Sequence, residues 1–208
     1  MSLVMAIGNK DFILFASEKR KTTTNILTKE ITIDENCEKI FKINKNVLLG
    51  YAGDLDYCKI VTESLLNNKM NLRENHNLTY KQVDNFIGAR FKNIIKQVEA
   101  DPIKYRKSRA YIVVGGVEGG VLNLSSYFYE DELKINKFIL KCATPKLITL
   151  SSGQYDHEEY FRGIFSAKPM VKIDNMKKIF NKTVMNGIKF DTSINNNVDF
   201  KEIVLKES

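Results

Sequence analysis

The chain has 208 residues, 43% of them hydrophobic and 27% charged, which is enough apolar material for one full core without disulfide or metal staples. Thirty-two Lys and Arg against 25 Asp and Glu leave a net charge of +7, but the cations are scattered, mostly Lys, and interleaved with acids, so they read as a solvated surface rather than a nucleic-acid site. Three cysteines (Cys37, Cys58 and Cys142) without a CxxC pair and two isolated histidines (His76 and His157) argue against a disulfide framework or a metal centre, and no cofactor is expected; a reducing cytoplasm fits this usage, no apolar run has membrane-spanning length, and the first residues carry no secretion signal.

In chain order, VMAI (Val4–Ile7) and FILFA (Phe12–Ala16), joined by Gly8-Asn9-Lys10-Asp11, predict a hairpin. Both runs are almost continuously apolar, so both faces of these strands are expected to be covered. EITI (Glu30–Ile33), KIFKI (Lys39–Ile43) and NVLLGYAG (Asn46–Gly53) read as further short strands. The period then changes: Leu55, Cys58, Val61, Leu65 and Leu66 recur at helical spacing. A second helix is announced by a Thr79–Gln82 capping box ahead of Val83, Phe86, Ile87, Phe91, Ile94, Ile95 and Val98.

Strands return with AYIVVGG (Ala110–Gly116), GVLNLSSYF (Gly120–Phe128) and KINKFIL (Lys134–Leu140). The glycines around Val117–Gly120 belong to a tight turn rather than a phosphate loop, since no Gly-Lys-Ser/Thr follows and the strand leads into no helix. SSGQ (Ser151–Gln154) precedes a short polar helix near Tyr155–Phe165, and His157 with Glu158 and Glu159 reads as its solvated start. Ile173–Asn186 is a further helix, with Met176, Ile179, Phe180 and Val184 on one face and Gly187 as C-cap. VDFKEIVL (Val198–Leu205) closes the chain as a strand. Strand and helix blocks segregate, which predicts an α+β class and one domain over residues 1–208. Two mainly antiparallel sheets, each covered outside by a helix pair, would bury every stripe in a four-layer αββα sandwich.

Ser2, then Lys10-Asp11, then Ala16-Ser17-Glu18-Lys19-Arg20-Lys21-Thr22, later Glu38-Lys39-Ile40-Phe41-Lys42-Ile43, and then Gly50-Tyr51-Ala52-Gly53-Asp54, form an ordered set. That set resembles the beta-type subunits of the proteasome family, which share the N-terminal-nucleophile hydrolase fold. The register holds from Ser2 to Thr22 without a gap, and about five extra residues are needed before Lys39. Ser151-Ser152-Gly153-Gln154 resembles the family's Gly-Ser-Gly corner. No helix precedes the first strand, as one does in alpha-type subunits, and no propeptide is evident. In layout the chain is thus similar to the simple bacterial proteolytic rings, in which removing Met exposes the nucleophile.

A hydroxyl is a poor nucleophile until a base takes its proton. A free α-amine, with a pKa of roughly 7.7–8.0, is partly neutral near neutral pH and sits on the same residue. By matching position, the resemblance implies Ser2 as nucleophile with its own amine as base, once Met1 is removed. It implies Lys39 as electrostatic partner, Glu18 in place of the family's aspartate, Arg20 in support of that carboxylate, Ser152 as the corner serine, and the Gly53 N–H as an oxyanion donor. Lys39 on an apolar strand independently demands a buried partner. Serine stands for threonine at the start, and the family's late Asp-x-x-Ser pair is matched only in region, by Asp191-Thr192-Ser193.

The implied function is an endopeptidase that assembles into a homo-oligomeric ring, takes peptide or unfolded-protein substrates, and works with an ATPase unfoldase. The alternative is a non-catalytic scaffold subunit of the same fold. No nucleic-acid or membrane partner is expected.

Overall fold

The structure, a computed structural model, describes residues 2–24, 28–66, 77–100, 109–130, 132–151, 155–167 and 171–205. In chain order its elements are β1 (Leu3–Gly8), β2 (Phe12–Glu18), β3 (Lys21–Thr24), β4 (Ile31–Asp34), β5 (Ile40–Asn44), β6 (Val47–Gly53), α1 (Leu55–Leu66), α2 (Tyr80–Ala100), β7 (Ala110–Glu118), β8 (Val121–Tyr129), β9 (Leu133–Leu140), β10 (Lys146–Ser151), α3 (His157–Ala167), α4 (Ile173–Gly187) and β11 (Val198–Val204).

Two antiparallel sheets form the centre, with strand orders β10-β1-β2-β11 and β5-β6-β7-β8-β9. Side chains alternate across a strand, and β1 shows the consequence. Val4 and Ala6 point into the core between the sheets, with Phe15, Ile40, Leu48, Val113 and Leu124. Leu3, Met5 and Ile7 point the other way, against Phe161 of α3 and Met176, Phe180 and Val184 of α4. On the far side of the second sheet, Cys58 and Val61 of α1 and Val83, Ile87 and Phe91 of α2 pack on Leu49, Ile112 and Tyr127. The result is the α+β αββα sandwich expected from the segregation of strand and helix blocks. The start of α2 is capped as its sequence predicts: the Thr79 N–H donates to Gln82 Oε1 at 2.8 Å and the Gln82 N–H to Thr79 Oγ1 at 3.3 Å.

Three local expectations are corrected, and two strands are added. The EITI segment joins neither large sheet: β4 pairs only with β3, an element not foreseen, in a separate two-stranded hairpin whose β4 residues are all exposed. β10 is a further strand that the sequence pattern does not announce, although Ile148 and Leu150 alternate into the core. Gly187 is the last residue of α4 rather than a left-handed cap, and Ile188 after it stays right-handed at φ −55°. His157 is not a solvated helix start but is buried, at 1% exposure. No helix among the described residues is long and apolar enough to cross a membrane.

Candidate active site

The antiparallel register brings the beginning of β1 beside the end of β2, since Val4 lies opposite Ser17. Glu18 therefore falls next to the first residues of the chain, and the Leu3 N–H donates to Glu18 Oε1 at 3.0 Å. Lys39 stands immediately before β5, and its carbonyl accepts the Tyr51 N–H of β6 at 3.0 Å. The same register carries the Lys39 side chain inward to the end of β2. There its ammonium pairs with Glu18 Oε1 and donates to the Arg20 carbonyl at 2.6 Å. Glu18 Oε2 accepts the Arg20 N–H at 2.7 Å.

Both charges are fully buried, and Ser2 beside them is 4% exposed. Removing an ammonium and a carboxylate from water costs several kcal/mol each unless their partners are complete. Here each carboxylate oxygen has at least one donor. Burial pushes the Lys39 ammonium pKa down, and Glu18 pulls it back only in part. The arrangement is a positive charge fixed at low dielectric, of a kind that can lower the proton affinity of a neighbouring amine and favour a developing anion.

Gly53 ends β6 at φ +97°, and a Cβ there would lie 2.5 Å from the Arg109 carbonyl oxygen, so only glycine fits. Ser2 and Gly53 line one cleft of about 260 Å³, together with Lys21–Thr24 of β3 and the Asp54–Asp56 corner that opens α1. The structure thus brings Ser2, Glu18, Lys39 and Gly53 to one end of the sandwich. Ser152 and Met1 lie outside the described residues.

Arg20 belongs to this group in a different way from the one expected. Its backbone N–H, not its guanidinium, meets Glu18. The guanidinium instead forms a fork with Glu35, at 3.1 and 2.7 Å, and donates to the Thr192 carbonyl at 2.5 Å. Glu35 raises the Arg20 pKa, and Arg20 and Asn195 hold the Glu35 carboxyl below its ordinary value. Sequence reasoning missed Glu35, which sits in a polar stretch without periodicity. Asp191 and Ser193 bond to each other: the Ser193 N–H donates to Asp191 Oδ1 at 2.9 Å, and the Ser193 hydroxyl donates to the same oxygen. Among the described residues no cluster of three or more His, Cys, Asp or Glu is placed to share a metal ion.

The sequence matches the family described as "Proteasome subunit" over residues 2–121. No curated protein matches it. Solved structures similar to it include the Anbu complex of Pseudomonas aeruginosa, described as a helical assembly, with 15% identity over 97% of this chain and 81% of that one at TM-score 0.71. Anbu (ancestral beta-subunit) of Yersinia bercovieri is 16% identical over the same shares, at TM-score 0.66. Eukaryotic HslV of Trypanosoma brucei is 14% identical over 97% of this chain and 99% of that one, at TM-score 0.58. At such identities the likeness bears on the fold alone.

Proposed function

Because the chain belongs to the proteasome subunit family, we propose that it is an N-terminal-nucleophile peptidase that cleaves peptide bonds with the hydroxyl of Ser2, made N-terminal by removal of Met1. The α-amine of Ser2 takes the hydroxyl proton, directly or through a water, and Oγ attacks the scissile carbonyl. The Gly53 N–H receives the oxyanion. The amine then passes the proton to the leaving amine, and a water activated by the same amine hydrolyses the ester. Lys39 keeps the amine neutral and favours negative charge on Oγ, Glu18 holds Lys39, and Ser152 assists proton transfer at the corner.

The observation that carries this reading is the buried Glu18–Lys39 pair, tied to the backbone of Leu3 next to Ser2. A lysine and a glutamate at 0% exposure are costly, and a charged pair of this kind clusters where chemistry needs it. We further propose that residues 1–208 form one domain, that copies of the chain self-assemble in the cytoplasm, and that unfolded chains delivered by an ATPase are its substrates. The P. aeruginosa Anbu complex, described as a helical assembly, supports self-assembly.

Intact mass shows whether Met1 is gone. Peptide hydrolysis by the Ser2-exposed chain is expected to fall at least ~100-fold in Ser2→Ala and in Lys39→Ala. Wild-type turnover in both variants would reject the mechanism. A chain that assembles but neither turns over peptide nor reacts at residue 2 with a hydroxyl- and amine-directed electrophile is the scaffold alternative.

A further inference from the structure

Arg20 contributes to the Glu18–Lys39 pair through the two peptides that flank its Cα. Its N–H binds the carboxylate and its carbonyl accepts the ammonium. Whatever fixes the backbone at Arg20 therefore fixes Lys39. The Lys19–Arg20 segment is gripped from several sides. Asn195 Oδ1 accepts the Lys19 N–H at 3.2 Å, and the Lys19 carbonyl accepts the Cys37 N–H at 2.9 Å. One residue links these grips. The Glu35 carboxylate takes the Arg20 fork at 2.7 and 3.1 Å and Asn195 Nδ2 at 2.5 Å. Its backbone carbonyl takes Asn195 Nδ2 at 3.2 Å and Asn197 Nδ2 at 3.3 Å. Glu35 also lies in the stretch before Lys39 where the register of the family resemblance is lost.

We infer that Glu35 is a positioning residue for the reaction: through Arg20 and Asn195 it fixes the Lys19–Arg20 backbone, where the Arg20 N–H holds Glu18 and the Arg20 carbonyl holds the Lys39 ammonium. This rests on the peptidase reading. An exposed ion pair adds little to folding stability as a rule, and the Glu35 side chain is 47% exposed, so positioning and stability are separable here. A forked carboxylate–guanidinium contact sets the angle as well as the distance of its partner, which a lone charge does not.

The experiment is steady-state peptide hydrolysis by the full chain with Ser2 exposed, alongside thermal unfolding. Glu35→Ala is expected to lower kcat about tenfold, well inside the ~100-fold that a 1 Å misplacement can cost, with an unchanged melting temperature. KM is expected to move less than about twofold, because substrate contacts are intact. Glu35→Gln, which still offers Arg20 one acceptor, is expected to recover part of the loss. Added to Arg20→Lys, which removes the fork but keeps the charge, Glu35→Ala is expected to cost little more. Glu158→Ala breaks the comparably exposed pair with Arg162 on α3 and is expected to leave kcat unchanged. Wild-type kcat in Glu35→Ala, or losses that multiply with Arg20→Lys, would overturn the inference while the peptidase reading stands. Absence of turnover in the wild-type chain would overturn both.

Discussion

Gly187 separates what one residue reveals locally from what it owes to distant contacts. A glycine at the end of an apolar stripe suggests a left-handed cap, yet Ile188 continues right-handed. The glycine is needed because a Cβ there would stand 2.4 Å from Cε1 and 2.8 Å from Nδ1 of His157. The ring is buried and packs edge-on against Tyr155. Gly187→Ala is therefore expected to destabilise the chain by about 1–3 kcal/mol, as overpacking does, lowering the urea midpoint at an unchanged slope. His157→Ala in the same background is expected to relieve part of that loss, and no relief would show that the clash is not the cause. The candidate site divides in the same way. Lys39 is legible because a lysine on an apolar strand demands a partner, whereas Glu18, at a strand end, is singled out only by the family resemblance. Glu35 is not legible, because nothing local distinguishes it from any exposed acid, and its partners Arg20, Asn195 and Asn197 are brought to it only by the fold.

At the scale of elements, apolar periodicity placed α1, α2, α4 and most strands because each buries a face. The β3–β4 hairpin buries almost nothing: Lys21-Thr22-Thr23-Thr24 is polar, and Ile31 and Ile33 stay exposed. A strand without a buried face leaves no mark from which to infer its partner. Periodicity also hides polar anchors. Asp84 sits on the buried face of α2, at 4% exposure, and accepts from Ser125 Oγ at 2.5 Å, the Tyr127 hydroxyl at 2.6 Å and Lys137 Nζ at 2.5 Å. One carboxylate thus pins α2 to β8 and β9. Asp84→Ala takes the carboxylate from the buried Ser125 hydroxyl, while the Tyr127 hydroxyl keeps the Asp84 backbone carbonyl at 2.8 Å, and is expected to cost about 2–3 kcal/mol. Asp84→Asn keeps an acceptor oxygen but loses the charge opposite the half-exposed Lys137, and is expected to cost about 1 kcal/mol. Urea unfolding of the two variants gives the ordering, and equal losses would mean that the hydroxyl contacts contribute nothing.

For the whole molecule, two buried basic groups set how stability follows pH. Burial lowers the pKa of His157 against the opposing pull of Asp191 and Asp156, and burial lowers that of Lys39 against Glu18. A base whose pKa is lowered on folding binds its proton more weakly folded than unfolded, so stability rises with pH between the two values. For His157 the upper edge of that window is the unfolded value of about 6.5. Above it both states are neutral and the group is silent. As pH falls through it, the unfolded chain takes a proton that the native ring, packed between Tyr155 and Gly187, resists. Lys39 acts in the same direction on the alkaline side: its penalty is complete below its folded pKa and fades as pH rises toward the unfolded value of about 10.4. The exposed Glu35 carboxylate, with its pKa lowered, titrates only below about 4.3, outside the histidine window, and solvent screening leaves it little effect on stability. The melting temperature is therefore expected to drop as the pH falls below about 6.5. His157→Gln, which removes the titrating group, is expected to flatten that drop whatever it does to stability at pH 8. An unchanged drop in the variant would assign the acid sensitivity to carboxylates and leave the buried ring without a part in it.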